Sequence, residues 1–364
     1  MAKLKEFLKH GQSIWLDYIH RDLFTSGELK KLVKDGLRGI TSNPTIFNKA
    51  IAGGETYDPI IKELVQAGKS TQEIYDELVL RDIIDACDEL SAVYKSSGGE
   101  DGFVSLEVSP DLAHDTEGTI ADAKRYNEAV NRDNLMIKVP ATIEGYAAVT
   151  ELIAVGVNIN STLIFSNEAY RNVANAYIAG LEKRAGNGED ISKIASVASY
   201  FVSRVDGPVD KRLQEQNNES LLGKISIANC KLAYELYQEI FSGERWEKLA
   251  EKGAKPQRLL WGSTGAKNPA YSDVMYVDEL IGKGTVNTVP PATLDAILDH
   301  SVVADTVTKD LDLAKQYLAE LAALGIDLDK ITTQLMKDGI VSFQDAFAEL
   351  MQSIDEKKKA FQTI

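Results

Sequence analysis

Cysteine is scarce in this chain. Only Cys87 and Cys230 occur in 364 residues, far apart and each inside a helix-like segment. That excludes a disulfide framework and a cysteine-based metal site, and it suits a reducing, cytoplasmic location. Histidine is scarce too. His10, His20, His114 and His300 show no ligand spacing and read as structural or surface residues, so no metal site is expected. No hydrophobic run is long enough to span a bilayer, and the stretch from Met1 to Gly11 alternates lysines with apolar residues instead of forming a signal peptide core. Basic residues are outnumbered 40 to 55, a formal net charge of -15. This argues against nucleic acid or an anionic membrane as partner, and an anionic substrate would need local basic groups working against the global field. No Gly-rich dinucleotide fingerprint follows any strand-like run, no internal repeat is visible, and no Pro/Gly/Ser-rich linker divides the chain.

What is present is regular alternation. Short β-rich runs bounded by turn residues fall at 13–19, 38–42, 103–108, 135–139, 157–165, 194–199, 258–263 and 286–289. Helical patterns separate them, at 26–35, 71–95, 117–131, 144–155, 167–185 and 221–242; in 71–95, Ile74, Leu78, Ile83 and Leu90 recur at helix-like intervals. Strands alternating with helices make a parallel sheet, and eight of them point to an α/β fold of the closed (β/α)8 TIM barrel type. The connection from 43 to 103 must hold at least one helix and an excursion through Gly53-Gly54-Glu55-Thr56-Tyr57. After the eighth strand, about 293–364 is a helical appendage, with helices expected at 301–324, 327–337 and 342–359. The expectation is one barrel domain, 1–364, whose tail caps its own barrel or meets a partner, as monomer or homodimer.

One strand carries an unusual residue. In Asn134-Leu-Met-Ile-Lys-Val-Pro-Ala-Thr142, Met136 and Lys138 share one face and Ile137 and Val139 the other. A lone ammonium among apolar neighbours is costly to desolvate, which favours the neutral amine. A neutral amine attacks carbonyls and forms a Schiff base. A strand-end lysine can equally reach out to water; the other strands decide between the two. Taking the polar residue near each strand end gives Asp17, Asn43, Glu107, Lys138, Asn160 with Thr162, Ser199 and Ser263. Satisfied core polar groups would scatter along the strands. Seven successive strands with a polar group at the same end fit a shared site at the barrel mouth, where such barrels keep their chemistry.

Basic residues add a second theme. Arg204 follows strand six in Ser199-Tyr-Phe-Val-Ser-Arg204, and Lys267 follows strand seven in Gly262-Ser-Thr-Gly-Ala-Lys267. Singly, Arg204 could pair with Asp206 or Asp210, and Lys267 could be a solvated loop charge. Together on adjacent loops past the late strands they form a clamp for a phosphorylated substrate.

These residues stand in motifs. Trp15-Leu-Asp17-Tyr-Ile, Gly39-Ile-Thr-Ser-Asn43-Pro-Thr-Ile-Phe47, Val104-Ser-Leu-Glu107-Val-Ser-Pro110 and Met136-Ile-Lys138-Val-Pro-Ala-Thr142 are similar to the transaldolase signatures. So are Asn158-Ile-Asn160-Ser-Thr162-Leu-Ile-Phe-Ser166, Ser199-Tyr-Phe-Val-Ser-Arg204-Val-Asp206 and the Ser263 to Asn268 loop. The resemblance runs, in order, from about residue 10 to the C-terminus. It implies a class I aldolase barrel of the non-oxidative pentose phosphate pathway. Such an enzyme moves dihydroxyacetone between the pairs sedoheptulose 7-phosphate/glyceraldehyde 3-phosphate and erythrose 4-phosphate/fructose 6-phosphate. Length and the Ser263-Thr-Gly-Ala-Lys-Asn-Pro-Ala-Tyr271 loop resemble the bacterial branch sometimes fused to a phosphoglucose isomerase, though no isomerase follows here.

The resemblance also implies roles. Lys138 is the Schiff-base lysine; Glu107, assisted by Thr162, holds and activates the water of dehydration and hydrolysis; Asp17 exchanges the proton of the C4 hydroxyl. Asn43 and Asn160 hold the dihydroxyacetone hydroxyls, Ser199 and Ser263 lie beside the substrate, and Arg204 binds phosphate. Many members have Ser-Phe-Arg-Asn after strand seven, where this chain has Ser263-Thr-Gly-Ala-Lys267-Asn268. The second phosphate cation is then Lys267, a point charge instead of a bidentate fork. Neither metal nor cofactor is required, since the imine is itself the electron sink. Two other readings remain: a fructose 6-phosphate aldolase of the same superfamily, or a non-catalytic phosphosugar-binding protein. The first group is shorter and resembles this pattern less at Glu107. The second should have lost Lys138, Asp17 or Glu107, and all three are present.

Overall fold

The short apolar runs become strands because they are covered on both faces, as in a parallel sheet wrapped by helices. Every residue of FVSLE, LMIKVP and INSTLI, the third to fifth strands, is buried. The computed structural model describes residues 3–362. Its strands are β1 Gln12–Asp17, β2 Gly39–Thr41, β3 Phe103–Glu107, β4 Leu135–Pro140, β5 Ile159–Ile164, β6 Ser196–Phe201, β7 Arg258–Gly262 and β8 Thr285–Val289. They pair in sequence order into a closed barrel, and β1 returns to β8 in a parallel register from Gln12 opposite Thr285 to Leu16 opposite Val289. All eight expected strands are present. β5 and β6 start two residues late because the Asn158 side chain takes ladder positions: it accepts from Ala195 N and donates to the carbonyls of Asp133 and Leu135.

The barrel interior is plugged by Trp15, Phe103, Met136, Val197, Leu260 and Val286. Gly39 permits this plug, since a Cβ there would stand 2.4 Å from the Trp15 ring. Met136 belongs to the plug, and Lys138 is two residues further along the same face, towards the mouth.

The long connection after β2 holds three helices, Pro44–Ala52, Asp58–Gln66 and Thr71–Ser96, with Gly53-Gly54 breaking the first two. The third starts on a capping box between Ser70 and Glu73. The C-terminal expectation needs two corrections. Residues 301–310 are not helical, and the helix begins at Leu311. Their backbone is used elsewhere: Val302 N donates to Asp278, and the N–H groups of Thr306 and Val307 donate to the Ile281 carbonyl. The two helices expected at 327–337 and 342–359 are one helix of 35 residues, Leu328–Gln362. Asp338-Gly339 reads as a break, but Gly339 is buried inside the helix where it crosses Leu163.

This terminal helix is fastened across the mouth of its own barrel. Asn48 donates to Glu349 at 3.1 Å, Thr71 donates to Asp355 at 3.0 Å, and Lys357 donates to the Gly54 carbonyl and to Asp58. Tyr75 and Phe347 pack edge to face at 5.3 Å between ring centroids.

Candidate active site

The register of the sheet sets the centre. Glu107 on β3 lies opposite Lys138 on β4, and Lys138 lies opposite Asn160 on β5. The side chains of Lys138 and Glu107 are 5% and 4% exposed, so their charges have little water to share. Lys138 Nζ stands 3.2 Å from Glu107 Oε2 and donates to the Ser42 carbonyl at 3.0 Å. The contact with Glu107 is an ion pair without hydrogen-bond alignment. Among the described residues, neither Glu107 oxygen nor Thr162 Oγ1 has a hydrogen-bond partner, although all three atoms are buried. Burial raises the Glu107 pKa against the opposing charge of Lys138, and Asp17 raises it further.

Asp17 ends β1 on the same cavity. Its Oδ1 accepts the Thr41 hydroxyl at 2.7 Å, and Thr288 meets Thr41 at 2.6 Å from the far side. Burial raises the Asp17 pKa, opposed by Lys138, Thr41 and Lys267. The site thus holds two carboxyls that give up a proton less readily than usual, brought from different strands to one lysine.

Asn43 shows why Ser-Asn-Pro sits after β2. Its side-chain oxygen caps the helix Pro44–Ala52 by accepting from Ile46 N at 3.0 Å, and Pro44 takes the first helical position. Among the described residues its amide nitrogen makes no hydrogen bond, and Asn43 lines the cavity.

That cavity has a volume of about 420 Å³. Its wall includes Asp17, Asn43, Lys138, Thr162, Ser199, Arg204, Ser263 and Lys267, eight of the residues picked out from the sequence. Glu107 and Asn160 are not part of the wall. Glu107 stands behind Lys138. Asn160 is fully buried, accepting from Ser199 at 2.6 Å and donating to Ser105 at 3.0 Å. A larger cavity of about 630 Å³ opens around Ser13, Asp101 and Arg258, at the amino ends of the strands. There the Asp101 carboxylate is already occupied by Ser13, Trp15 and Arg258, so its polar groups are committed to each other.

The outer wall is cationic. Arg204 lies in the first turn of the helix Ser203–Glu215, and it pairs with neither Asp206 nor Asp210. Those carboxylates turn inward: Asp206 accepts from Tyr276 Oη at 2.7 Å and Ser226 N at 2.8 Å, and Asp210 from Tyr271 Oη at 2.6 Å and Gly223 N at 3.1 Å. Burial pushes the Asp206 pKa up to about 6. The two aspartates tie the helix bearing Arg204 to the loop bearing Lys267. Ser263, with φ 54°, ties the same pair more closely: its carbonyl accepts from Ser203 N at 3.0 Å.

Thr41, Lys49 and Phe343 are among the wall residues that sequence reasoning did not pick out. Thr41 and Lys49 belong to the stretch around Ser-Asn-Pro, but nothing in their spacing marks them. Phe343 comes from the terminal helix, and its ring centroid lies 6.0 Å from Lys138 Nζ. Only the helix crossing the mouth brings it there.

Fold and site define a (β/α)8 barrel with a buried lysine and two carboxyls beneath a cationic mouth. The chain belongs to the transaldolase/fructose-6-phosphate aldolase family, whose sequence model matches residues 14–354. It is 50% identical to a transaldolase of Trichodesmium erythraeum (strain IMS101), over 98% of this chain and 97% of that one. It is 48% identical to transaldolase 2 of Nostoc punctiforme, over 99% of each chain, and 49% identical to a transaldolase of Saccharopolyspora erythraea, over 98% of each.

Proposed function

We propose that the protein is a transaldolase that carries dihydroxyacetone between sugar phosphates as an imine on Lys138. The observation that carries this reading is the buried Lys138–Glu107 contact with Asp17 on the same cavity, below unpaired cations. In this reading Lys138 attacks C2 of the ketose phosphate. Glu107 and Thr162, whose buried oxygens lack hydrogen-bond partners among the described residues, hold a water between them and relay protons as the carbinolamine loses water. Asp17 takes the C4 hydroxyl proton. The C3–C4 electron pair moves into the iminium to give an enamine, and the aldose phosphate leaves. The enamine then adds to the acceptor aldehyde, Asp17 returns the proton, and hydrolysis of the new imine frees Lys138.

Asn43 offers its amide nitrogen to the dihydroxyacetone hydroxyls, while Asn160 acts through Ser199, which reaches the cavity. Arg204 and Lys267 hold the phosphate. The enzyme works in the cytoplasm, as monomer or homodimer, consistent with its two free, buried cysteines.

The test follows product from fructose 6-phosphate. A transaldolase gives one turnover of glyceraldehyde 3-phosphate alone and sustained turnover once erythrose 4-phosphate is added. Sustained release of free dihydroxyacetone without acceptor would make the protein an aldolase instead.

A further inference from the structure

Lys49 lines the same cavity as Arg204 and Lys267. It sits in the helix Pro44–Ala52 after β2, whereas the other two follow β6 and β7, so three cations reach one mouth from three directions. We infer that Lys49 is a third phosphate ligand, closing with Arg204 and Lys267 a clamp that selects phosphorylated over unphosphorylated sugars. The inference rests on the transaldolase reading of the site.

The physical case is one of incompletely compensated charge. Acids outnumber bases 55 to 40 in this chain, and many of its cations sit in ion pairs, as Lys183 does with Glu151 and Arg245 with Glu182. Among the described residues, Lys49, Arg204 and Lys267 have no ion-pair or hydrogen-bond partner, although the Asp17 carboxyl partly offsets the charge of Lys267. Their mutual repulsion is felt: burial lowers the Lys267 pKa first, and the charges of Arg204 and Lys49 lower it further. Three like charges held together with no ion-pair partner and only partial compensation from Asp17 destabilise the empty site, and a phosphate of charge about -1.5 to -2 would offset that. Lys49 also lies in the last turn of its helix, where a cation favours the helix dipole. That alternative explains a lysine there, but not its place on the cavity wall. The terminal helix holds this element in position, through Asn48 to Glu349 and Lys357 to the Gly54 carbonyl.

Inorganic phosphate is titrated calorimetrically into the full-length wild type, Lys49→Met and Lys49→Arg, and the KM for fructose 6-phosphate is compared with the rate of borohydride trapping by dihydroxyacetone. Expected are phosphate affinity weakened roughly 5-fold or more in Lys49→Met and restored in Lys49→Arg. KM should rise in proportion, with the loss confined to phosphorylated ligands. The alkaline limb of phosphate binding should move to higher pH in Lys49→Met, because Lys267 loses a repelling neighbour. Equal phosphate affinity in all three proteins overturns the inference, and so does a loss shared by dihydroxyacetone. Phosphate titration needs no turnover, so a wild type without transaldolase activity would refute the reading of the site while the role of Lys49 was still decided.

Discussion

Lys138 and Glu107 are buried together, and this sets what each can do. In water the pair would be an ordinary salt bridge; at this depth neither charge is well solvated, and burial favours the neutral Glu107 carboxyl over its anion. Asp17 comes from another strand, β1, and is available for a different proton. The roles separate in variants. Asp17→Asn should still form the imine, trappable by borohydride, while cleavage falls about 10²–10⁴-fold; equal loss of both would put Asp17 in the wrong step. Burial raises both carboxyls, and as bases they work only when ionised. The acid limb of kcat/KM should therefore lie above the ordinary carboxylate range, with activity lost as pH falls through it. Much of the cavity wall was legible in the sequence, because strand alternation places a polar residue near the end of seven strands on one rim. Asn160 shows the limit: its position was readable, but its amide is spent on Ser105 and Ser199, a through-space fact that no spacing reports.

At the scale of elements, the helix Ser203–Glu215 and the terminal helix carry most of the positioning. Asp206 is buried with its pKa raised to about 6 from 3.8, so the folded state holds a proton that the unfolded chain releases. Stability from this group is complete below about pH 4 and is lost as pH rises through about 6. The difference in unfolding free energy between wild type and Asp206→Asn should fall by roughly 3 kcal/mol across that window and stay level above it; a difference that is flat with pH contradicts the burial argument. The terminal helix depends on Gly339, where a Cβ would meet Leu163 at 3.0 Å. Gly339→Ala asks Leu163 to yield by a few tenths of an ångström. Gly339→Leu overpacks the crossing and should cost about 1–3 kcal/mol by denaturant unfolding, with a rise in KM as Phe343 is displaced. Two expected helices became one here because tertiary packing outweighs the glycine's local preference; the breaker was visible and its neighbour Leu163 was not.

On the scale of the whole molecule, the chain sets a global charge of -15 against three cations at one mouth. A phosphorylated sugar is repelled at long range and held at short range. Salt screens both, but the contact term is the larger one for a bound substrate, so KM for fructose 6-phosphate should rise with ionic strength between roughly 0.1 and 1 M, where the Debye length falls from about 10 to 3 Å. A KM that falls with salt would mean the global field dominates and the clamp does not. The eight-strand barrel was legible throughout because its period is repeated eight times. The terminal helix was legible as helix but not as a strap, since sequence reports the periodicity of an element and not the surface it covers.

In the proposed reaction everything depends on an imine between Lys138 and a ketose phosphate. Borohydride reduction in the presence of fructose 6-phosphate, followed by peptide mass mapping, tests it directly, with Lys138→Ala alongside. Expected is a reduced dihydroxyacetone adduct on Lys138, absent from the variant and diminished when erythrose 4-phosphate completes the transfer. A folded wild type that carries no adduct, or carries it on another lysine, would contradict it.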